Sequence, residues 1–289
     1  MAELAPVKTV GVLGGSSLVG SCLLDLLQVG RWQVTMLGRS AARELAQALA
    51  RAHSGSDPAV SSWISVAPIW VLPRYFDLLQ ARGARRLVLL SSTSRFTKGD
   101  SSDVQEQHMA SGLAAAEAQV QAWAARCGVE WVILRPTLIY GLGRDKNISE
   151  MARFIQRWGF FPLLGQAIGL RQPVHAQDVA QCCLAALQVR AAANRAYNIS
   201  GGETLSYRDM VARVFAALHV PLRLLNVPRW AFAAALGGMR LLPRYRHWSV
   251  AMADRMSRDL VFDHLGAAQD LGFAPRPFAL APADLPRAR

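Results

Sequence analysis

Apolar positions come in short blocks along the first half of the chain, with polar and small residues between them. The block at 10–13 is short and wholly apolar, which suits a strand buried on both faces. Small residues follow at 14–17, and apolar positions 18, 19, 23, 24, 26 and 27 then recur at helical spacing. The alternation continues with a strand at 33–37, a helix at 41–52, a strand at 64–67 and a helix at 69–81 with Pro73 near its start. A strand at 86–90, a long helix at 104–127 and a strand at 130–134 follow. Between them, 53–62 is polar and shows no strand. Alternating strands and helices predict an α/β fold, a doubly wound parallel sheet of the Rossmann type with helices on both faces.

Past Tyr140 the pattern changes. A polar loop at 141–147 precedes a helix at 151–158, a Gly-rich turn region at 162–169 and a short strand at 173–175. Asp178 is placed to cap a helix running to 188. A strand at 196–199 leads to a helix starting at Ser206, with Asp209 in capping-box spacing. The expected organisation is a dinucleotide-binding domain over 1–140 with 172–200 interleaved. A smaller substrate-side subdomain takes 141–275, and 276–289, punctuated by prolines, forms a loose tail.

The turn at 14–20 carries the first chemistry. Strand, small-residue turn and helix let a backbone approach a pyrophosphate and aim a helix N-terminus at it. Gly14, Gly15, Ser16, Ser17, Leu18, Val19 and Gly20 are the residues so placed. Ser17 stands where a middle glycine is expected, and its hydroxyl can itself donate to a phosphate. Arg39, followed by Ser40, lies 19 residues after Gly20, with no carboxylate in its place. An Arg there suits a 2′-phosphate, so NADP(H) is preferred over NAD(H). The plainer reading makes Arg39 a surface residue at the start of a helix.

Composition modifies this picture only slightly. The formal net charge is +12, but the basic residues are scattered, nearly all are Arg, and the only lysines are Lys8, Lys98 and Lys146. Without dense basic runs or interleaved aromatics, nucleic acid is not the expected partner. A solvated Arg-rich surface is the first reading, an anionic ligand or membrane surface the second. Cys22, Cys127, Cys182 and Cys183 have no metal-ligand spacing and read as reduced core residues; no metal is expected. The N-terminus shows no signal peptide and no run approaches a membrane span, so a cytoplasmic location is expected. The stretch 230–248 sets apolar residues beside Arg244, Tyr245, Arg246, His247 and Trp248. It reads as a helix over the substrate cleft or as a peripheral contact with the inner face of a membrane. Oligomeric state is left open.

Five segments together resemble the short-chain dehydrogenase/reductase superfamily, in its extended and atypical branch, the NAD-dependent epimerase/dehydratase family. They are VLGGSSLVG at 12–20, VLLSSTS at 88–94, VILRPTLIYG at 132–141, QPVHAQDVA at 172–180 and YNISGGETLSYRDMV at 197–211. The resemblance implies that Ala67 and Pro68 border the nicotinamide side and that Ser91, Ser92 and Thr93 line the crevice. It also implies that Pro136, Thr137 and Leu138 pack on the nicotinamide amide. Family enzymes carry a Tyr and, four residues later, a Lys on the long helix. Aligned through Glu117, those positions here are Met109 and Leu113. No Tyr lies between Tyr75 and Tyr140, and no Lys between Lys98 and Lys146.

Two functions follow. One is an NADP(H)-dependent oxidoreductase or epimerase acting on a nucleotide-linked sugar or another anionic or lipid-like substrate with a substitute acid/base group. Thr93 and Tyr140 are the first candidates, with His108 and the Asp145–Lys146 pair behind them. Arg144, Asp145, Lys146, Asn147 and Arg171 would meet the substrate. The other is a non-catalytic NADP(H)-binding structural, assembly or sensor protein, since an accessory subunit of respiratory complex I resembles this branch. Structural roles compete at several positions: His175 as a turn-fixing residue, Asp178 as a cap, and Arg135 and Glu117 as structural or paired groups.

Overall fold

The computed structural model describes residues 8–38, 42–99, 103–228 and 255–286. Arg39, Ser40 and the stretch 230–248 lie outside the described residues, so the 2′-phosphate and membrane-contact expectations have no structural counterpart.

The short apolar runs become a six-stranded sheet. In chain order its strands are β1 (Thr9–Leu13), β2 (Gln33–Leu37), β3 (Ser62–Ser65), β4 (Arg86–Leu90), β5 (Glu130–Pro136) and, much later, β10 (Arg195–Ile199). Between β5 and β10 come β6 (Ile139–Tyr140), β7 (Phe161–Leu164), β8 (Leu170–Arg171) and β9 (Val174–His175). Every pairing in the large sheet is parallel, in the order β2-β1-β3-β4-β5-β10. Burial on both faces explains the continuous apolar runs: β4 is buried at all its positions. The chain passes from β1 outward to β2, then returns across β1 to β3. The order therefore reverses between β1 and β3, where an open parallel sheet leaves a crevice beyond its strand C-termini.

Helices cover both faces. On one, α1 (Leu18–Val29), α7 (Ala176–Gln188) and α9 (Leu265–Leu271) bury Leu23, Leu27, Val179 and Cys183 against Val10, Val12, Val88 and Val132. On the other, α2 (Ala42–His53), α3 (Phe76–Ala81) and α5 (Val104–Cys127) enclose Trp63, Leu72, Leu79, Val120 and Trp123. Phe76 stacks on Trp123 with ring centroids 4.5 Å apart. A third core, centred on Phe154, Phe161, Met210 and Phe215, belongs to the smaller portion built from α6 (Ile148–Trp158), β7 and α8 (Tyr207–Ala217). Among the described residues no helix is long and apolar enough to cross a membrane.

Several expectations change on inspection. Ile69–Tyr75 is a 3-10 helix with Pro73 inside it, continuing into α3. The Gly-rich region at 162–169 holds most of β7, which pairs in parallel with a strand at Leu224–Val227. Asp178 is not the cap of α7. The cap is His175, whose Nδ1 accepts the Gln177 N–H at 3.2 Å, while Asp178 lies one turn in and binds Arg276.

The loose tail is also corrected. Over 276–286 the chain returns to the fold and is tied down. Phe278 is buried, the Arg276 N–H donates to Asp178 at 3.0 Å, and Asp284 is buried against His175. Asp284 accepts from His175 Nε2 at 3.0 Å, the Leu142 N–H at 3.1 Å and the Ala281 N–H at 3.0 Å. The prolines keep regular α-helix and strand out of this segment, leaving one 3-10 turn at Pro282–Asp284, but it still packs because its backbone and side chains find partners. Burial would raise the Asp284 carboxyl pKa; the hydrogen bonds from His175 and the two backbone amides outweigh it, so the group sits below its ordinary value. A depressed carboxylate contributes stability that is present above the unfolded pKa and lost as pH falls through the folded one. Asp284→Ala should therefore cost about 2–3 kcal/mol at neutral pH, read from urea unfolding, and the difference from the parent chain should shrink below about pH 4.

Candidate dinucleotide turn and adjoining cavity

The turn after β1 needs glycine for steric reasons. Gly14 has φ 87°, and a Cβ there would lie 2.6 Å from the Ala67 backbone nitrogen. A Cβ on Gly20 would lie 2.5 Å from the Gly14 carbonyl oxygen. The β1 turn thus presses on the end of β3 at the crevice, which brings Ala67 to the cradle. Ser17 is the N-cap of α1, its Oγ accepting the Gly20 N–H at 3.0 Å. That employs the Ser17 oxygen as an acceptor inside the fold. Helix geometry leaves the Leu18 and Val19 N–H groups without intrahelical acceptors, aimed out of the turn. A backbone cradle filled by any Cβ, next to a helix N-terminus, suits a pyrophosphate.

Arg144, expected on the substrate side, is instead at this turn. Its Nη1 lies 3.3 Å from Ser21 Oγ and its Nη2 3.3 Å from the Ser16 carbonyl. The loop 141–147 carries it there, so a cation from the smaller portion rests on the first turn of α1.

Farther along the strand ends lies a buried ionic cluster. Ser91 Oγ donates to Glu117 at 2.5 Å, and Arg135 reaches the same carboxylate through Nε at 3.1 Å and Nη2 at 2.6 Å. Arg95 completes it. Glu117 is 1% exposed. Burial alone would raise its pKa, but the hydrogen bonds from Arg135 and Ser91 and the two guanidinium charges hold it below the ordinary carboxylate range. Ser92 Oγ accepts the Ser94 N–H at 3.1 Å. Thr93 donates to the Pro136 carbonyl from its N–H at 3.1 Å and its hydroxyl at 3.2 Å. The Thr137 hydroxyl donates to the Gln172 carbonyl, and the Leu138 carbonyl accepts from Val174. β4, β5 and β9 are thereby laced together where they end.

These ends form one wall of a cavity of about 660 Å³. Ser92, Thr93, Thr137 and Leu138 line it from the sheet. Lys98, Asp103, Glu106 and Met109 line it from the chain entering α5, and Lys146, Asn147, Arg171, Tyr207, Arg255 and Phe262 from the smaller portion. Among the described residues no cluster of His, Cys, Asp and Glu could hold a metal.

The structure separates the candidates. Tyr140 is fully buried and does not line the cavity; its hydroxyl donates to the Ala279 carbonyl at 3.2 Å, its ring packs edge-on to His175 and Phe278, and burial pushes its pKa up to about 12. It is a core residue. Asp145 is buried and accepts from the Ser149 N–H and hydroxyl at the start of α6, so it serves the helix and not a ligand. His108 is exposed on α5 and away from the cavity. Arg171 lines the cavity, but its Nη1 donates to the Leu170 and Arg258 carbonyls at 2.7 Å and its Nη2 to that of Arg255. Its guanidinium also lies 5.4 Å over the Tyr207 ring. Arg171 braces the wall, a role closer to packing than to phosphate capture. Lys146, Asn147 and Thr93 do reach the cavity.

Lys98, Glu106 and Arg255 were not singled out from the sequence. Arg255 pairs with Glu106, and Lys98 Nζ lies 3.6 Å from the same carboxylate. For Lys98 the available signal was its rarity as one of three lysines and its place five residues after Thr93. Glu106 and Arg255 are brought together across 149 positions, which no local pattern reports.

Comparison with known proteins agrees with this geometry. Residues 74–200 match the NAD dependent epimerase/dehydratase family. Curated relatives include the uncharacterized protein y4nG of Sinorhizobium fredii, 30% identical over 154 residues, covering 52% of this chain and 37% of that protein. UDP-glucose 4-epimerase of Vibrio cholerae is 29% identical over 117 residues, covering 40% and 36%. NADH dehydrogenase [ubiquinone] 1 alpha subcomplex subunit 9 of Arabidopsis thaliana is 24% identical over 157 residues, covering 50% and 39%. The matched stretches thus span less than two fifths of these relatives' own length. Among solved structures, the epimerase Mth375 of Methanothermobacter thermautotrophicus has TM-score 0.70 at 16% identity, covering 96% of this chain and 89% of that one. MoeE5 with UDP-glucose and NAD has TM-score 0.66 at 19% identity, covering 94% of both. RMD of Pseudomonas aeruginosa with NADPH has TM-score 0.64 at 17% identity, covering 93% and 94%. The chain has the Rossmann-type fold of these proteins and resembles the NAD-dependent epimerase/dehydratase family.

Removing one partner of a buried ion cluster strands the remaining charges. Glu117→Gln should cost on the order of 3–5 kcal/mol at neutral pH. Because the folded pKa of Glu117 is depressed, that contribution should fade in acid, below about pH 4. Urea midpoints across pH check both statements.

Proposed function

We propose that this protein is a nicotinamide-dinucleotide-dependent oxidoreductase or epimerase whose substrate is a nucleotide-linked sugar or another anionic or lipid-like molecule. The observation that carries the reading is the cavity at the C-terminal ends of β4 and β5, on the same edge of the parallel sheet as the Gly14–Gly20 turn. Gly14, Gly15, Ser16, Leu18, Val19 and Gly20 hold the pyrophosphate by backbone approach and helix N–H groups, with Ser17 shaping the turn. Arg144, held beside the turn at Ser16 and Ser21, would supply a cation to the pyrophosphate. Ala67, Pro68, Pro136, Thr137 and Leu138 border the nicotinamide, with Ser91 and Ser92 beside it. When bound, the nicotinamide supplies or accepts a hydride.

The protein's own residues do the rest. Thr93, whose hydroxyl hydrogen is engaged by the Pro136 carbonyl, accepts a hydrogen bond from the substrate hydroxyl and orients it. Lys146 and Asn147 supply donors for an anionic group. Arg39 favours NADP(H), with NAD(H) as the weaker ligand. The likeness to MoeE5, a protein solved with UDP-glucose and NAD, supports a sugar nucleotide.

A second reading rests on a specific observation. Met109 lines the cavity and Leu113 is buried where the family resemblance places the Tyr and Lys. Relatives in Arabidopsis thaliana and Dictyostelium discoideum are subunits of NADH dehydrogenase. On this reading the protein holds the dinucleotide without turning it over, as part of an assembly.

Calorimetric titration with NADPH and NADH should give tighter NADPH binding; equal or tighter NADH removes the role of Arg39. Arg144→Ala should weaken either ligand about tenfold, ~1.4 kcal/mol, and unchanged affinity places Arg144 outside the site. Incubating the oxidised dinucleotide complex with UDP-glucose and following reduced-nicotinamide absorbance separates the two readings. Firm binding without reduction favours the non-catalytic one.

A further inference from the structure

With Tyr140 in the core, Asp145 on a helix cap and His108 on the surface, the cavity needs another group able to exchange a proton. After β4 the chain makes a one-turn helix, α4 (Ser94–Thr97), with Thr93 before it and Lys98 after it. Both line the cavity. Lys98 has a side chain only 16% exposed. Its Nζ lies 3.3 Å from the Met109 sulfur. Met109 stands at the position that the resemblance gives to a tyrosine. An amine arriving from α4 therefore sits at the tip of the side chain that replaces the phenol. Lys146 also lines the cavity but is exposed.

We propose that Lys98 is the catalytic acid/base of this cavity, exchanging the proton that accompanies hydride transfer on the substrate. The inference rests on the dinucleotide-dependent reading above. In the reducing direction a hydride from the reduced nicotinamide adds to the carbonyl carbon while the Lys98 ammonium gives a proton to the carbonyl oxygen. An alcohol, the oxidised nicotinamide and a neutral amine result, and the amine regains a proton from water. In the oxidising direction the neutral amine takes the hydroxyl proton as the hydride leaves the carbon.

The surroundings fit that task. Burial draws the Lys98 pKa below its ordinary value, Arg255 adds to the shift and Asp103 opposes it. Glu106 faces the amine at 3.6 Å but is shared with Arg255. Across the cavity stand Lys146 and Glu150. A lysine depressed in this way has a larger neutral fraction near neutral pH and can act in either direction.

The three lysines make the test direct. The full chain labelled with [ε-13C]lysine should give three signals, assigned with Lys8→Arg, Lys98→Met and Lys146→Met. The Lys98 signal should titrate below the ordinary lysine value, because burial disfavours its charged form. With UDP-glucose and UDP-glucuronate as probes, Lys98→Met should lower single-turnover nicotinamide reduction about 100-fold or more, with dinucleotide affinity held within about twofold. A Lys98 signal that titrates at the ordinary lysine value, or a Lys98→Met chain as fast as the parent, overturns the assignment while leaving the dinucleotide reading intact. A parent chain that binds no dinucleotide, or binds it and reduces nothing with either probe, overturns the assignment together with the enzyme reading.

Discussion

Much of the structure follows from how closely the β1 turn approaches the end of β3. Gly14 packs against the Ala67 backbone where no side chain could fit, and Gly20 lets α1 start against the Gly14 carbonyl. This contact sits at the point where the strand order reverses, so the crevice opens there and α1 points its N-terminus into it. A bulkier turn would separate β1 from β3 or tilt α1, and either change would remove the cradle.

Around that contact the fold uses two buried carboxylates as fasteners. Glu117 gathers Ser91, Arg95 and Arg135, joining α5 to the ends of β4 and β5. Asp284 gathers His175 and the Leu142 and Ala281 amides, joining the last residues to β9 and to the loop that carries Arg144. Each is stabilised as a charge by specific donors that outweigh the cost of burial. The cavity lies between the portions that they join, so its shape is set by ionic fasteners as well as by apolar packing.

Met109 and Leu113, the positions that the family resemblance assigns to a Tyr and a Lys, lie on α5, Met109 lining the cavity and Leu113 buried. Lys98 and Thr93 come from the segment after β4, Glu106 from α5 and Arg255 from a distant segment. The thioether of Met109 is flexible and weakly accepting, and the Lys98 amine lies 3.3 Å from its sulfur. The cavity is therefore polar on the side of α4 and apolar toward Met256 and Phe262.

Periodicity reported the long helices and most of the sheet strands, because short apolar runs and a stripe at helical spacing are local consequences of burial; β3, expected at 64–67, lies instead at Ser62–Ser65, where only Trp63 and Ile64 are apolar. α5 spans Val104–Cys127, as its pattern indicates, and the glycines of the first turn were legible because their constraint is local too. β7 and β8 were not legible within a glycine-rich stretch that reads as turn, although β9, equally short, was read at 173–175. The side-chain roles were decided by contacts over long separations. Tyr140 became a core residue through Ala279 and Phe278, Arg144 moved to the α1 turn, and 276–286 was fastened through Asp178 and His175. The sequence by itself determined the order of elements and the turn at which a dinucleotide can be held. Only the tertiary structure decided which polar groups face the cavity, because a side chain's desolvation and its partners depend on residues that chain distance does not reveal.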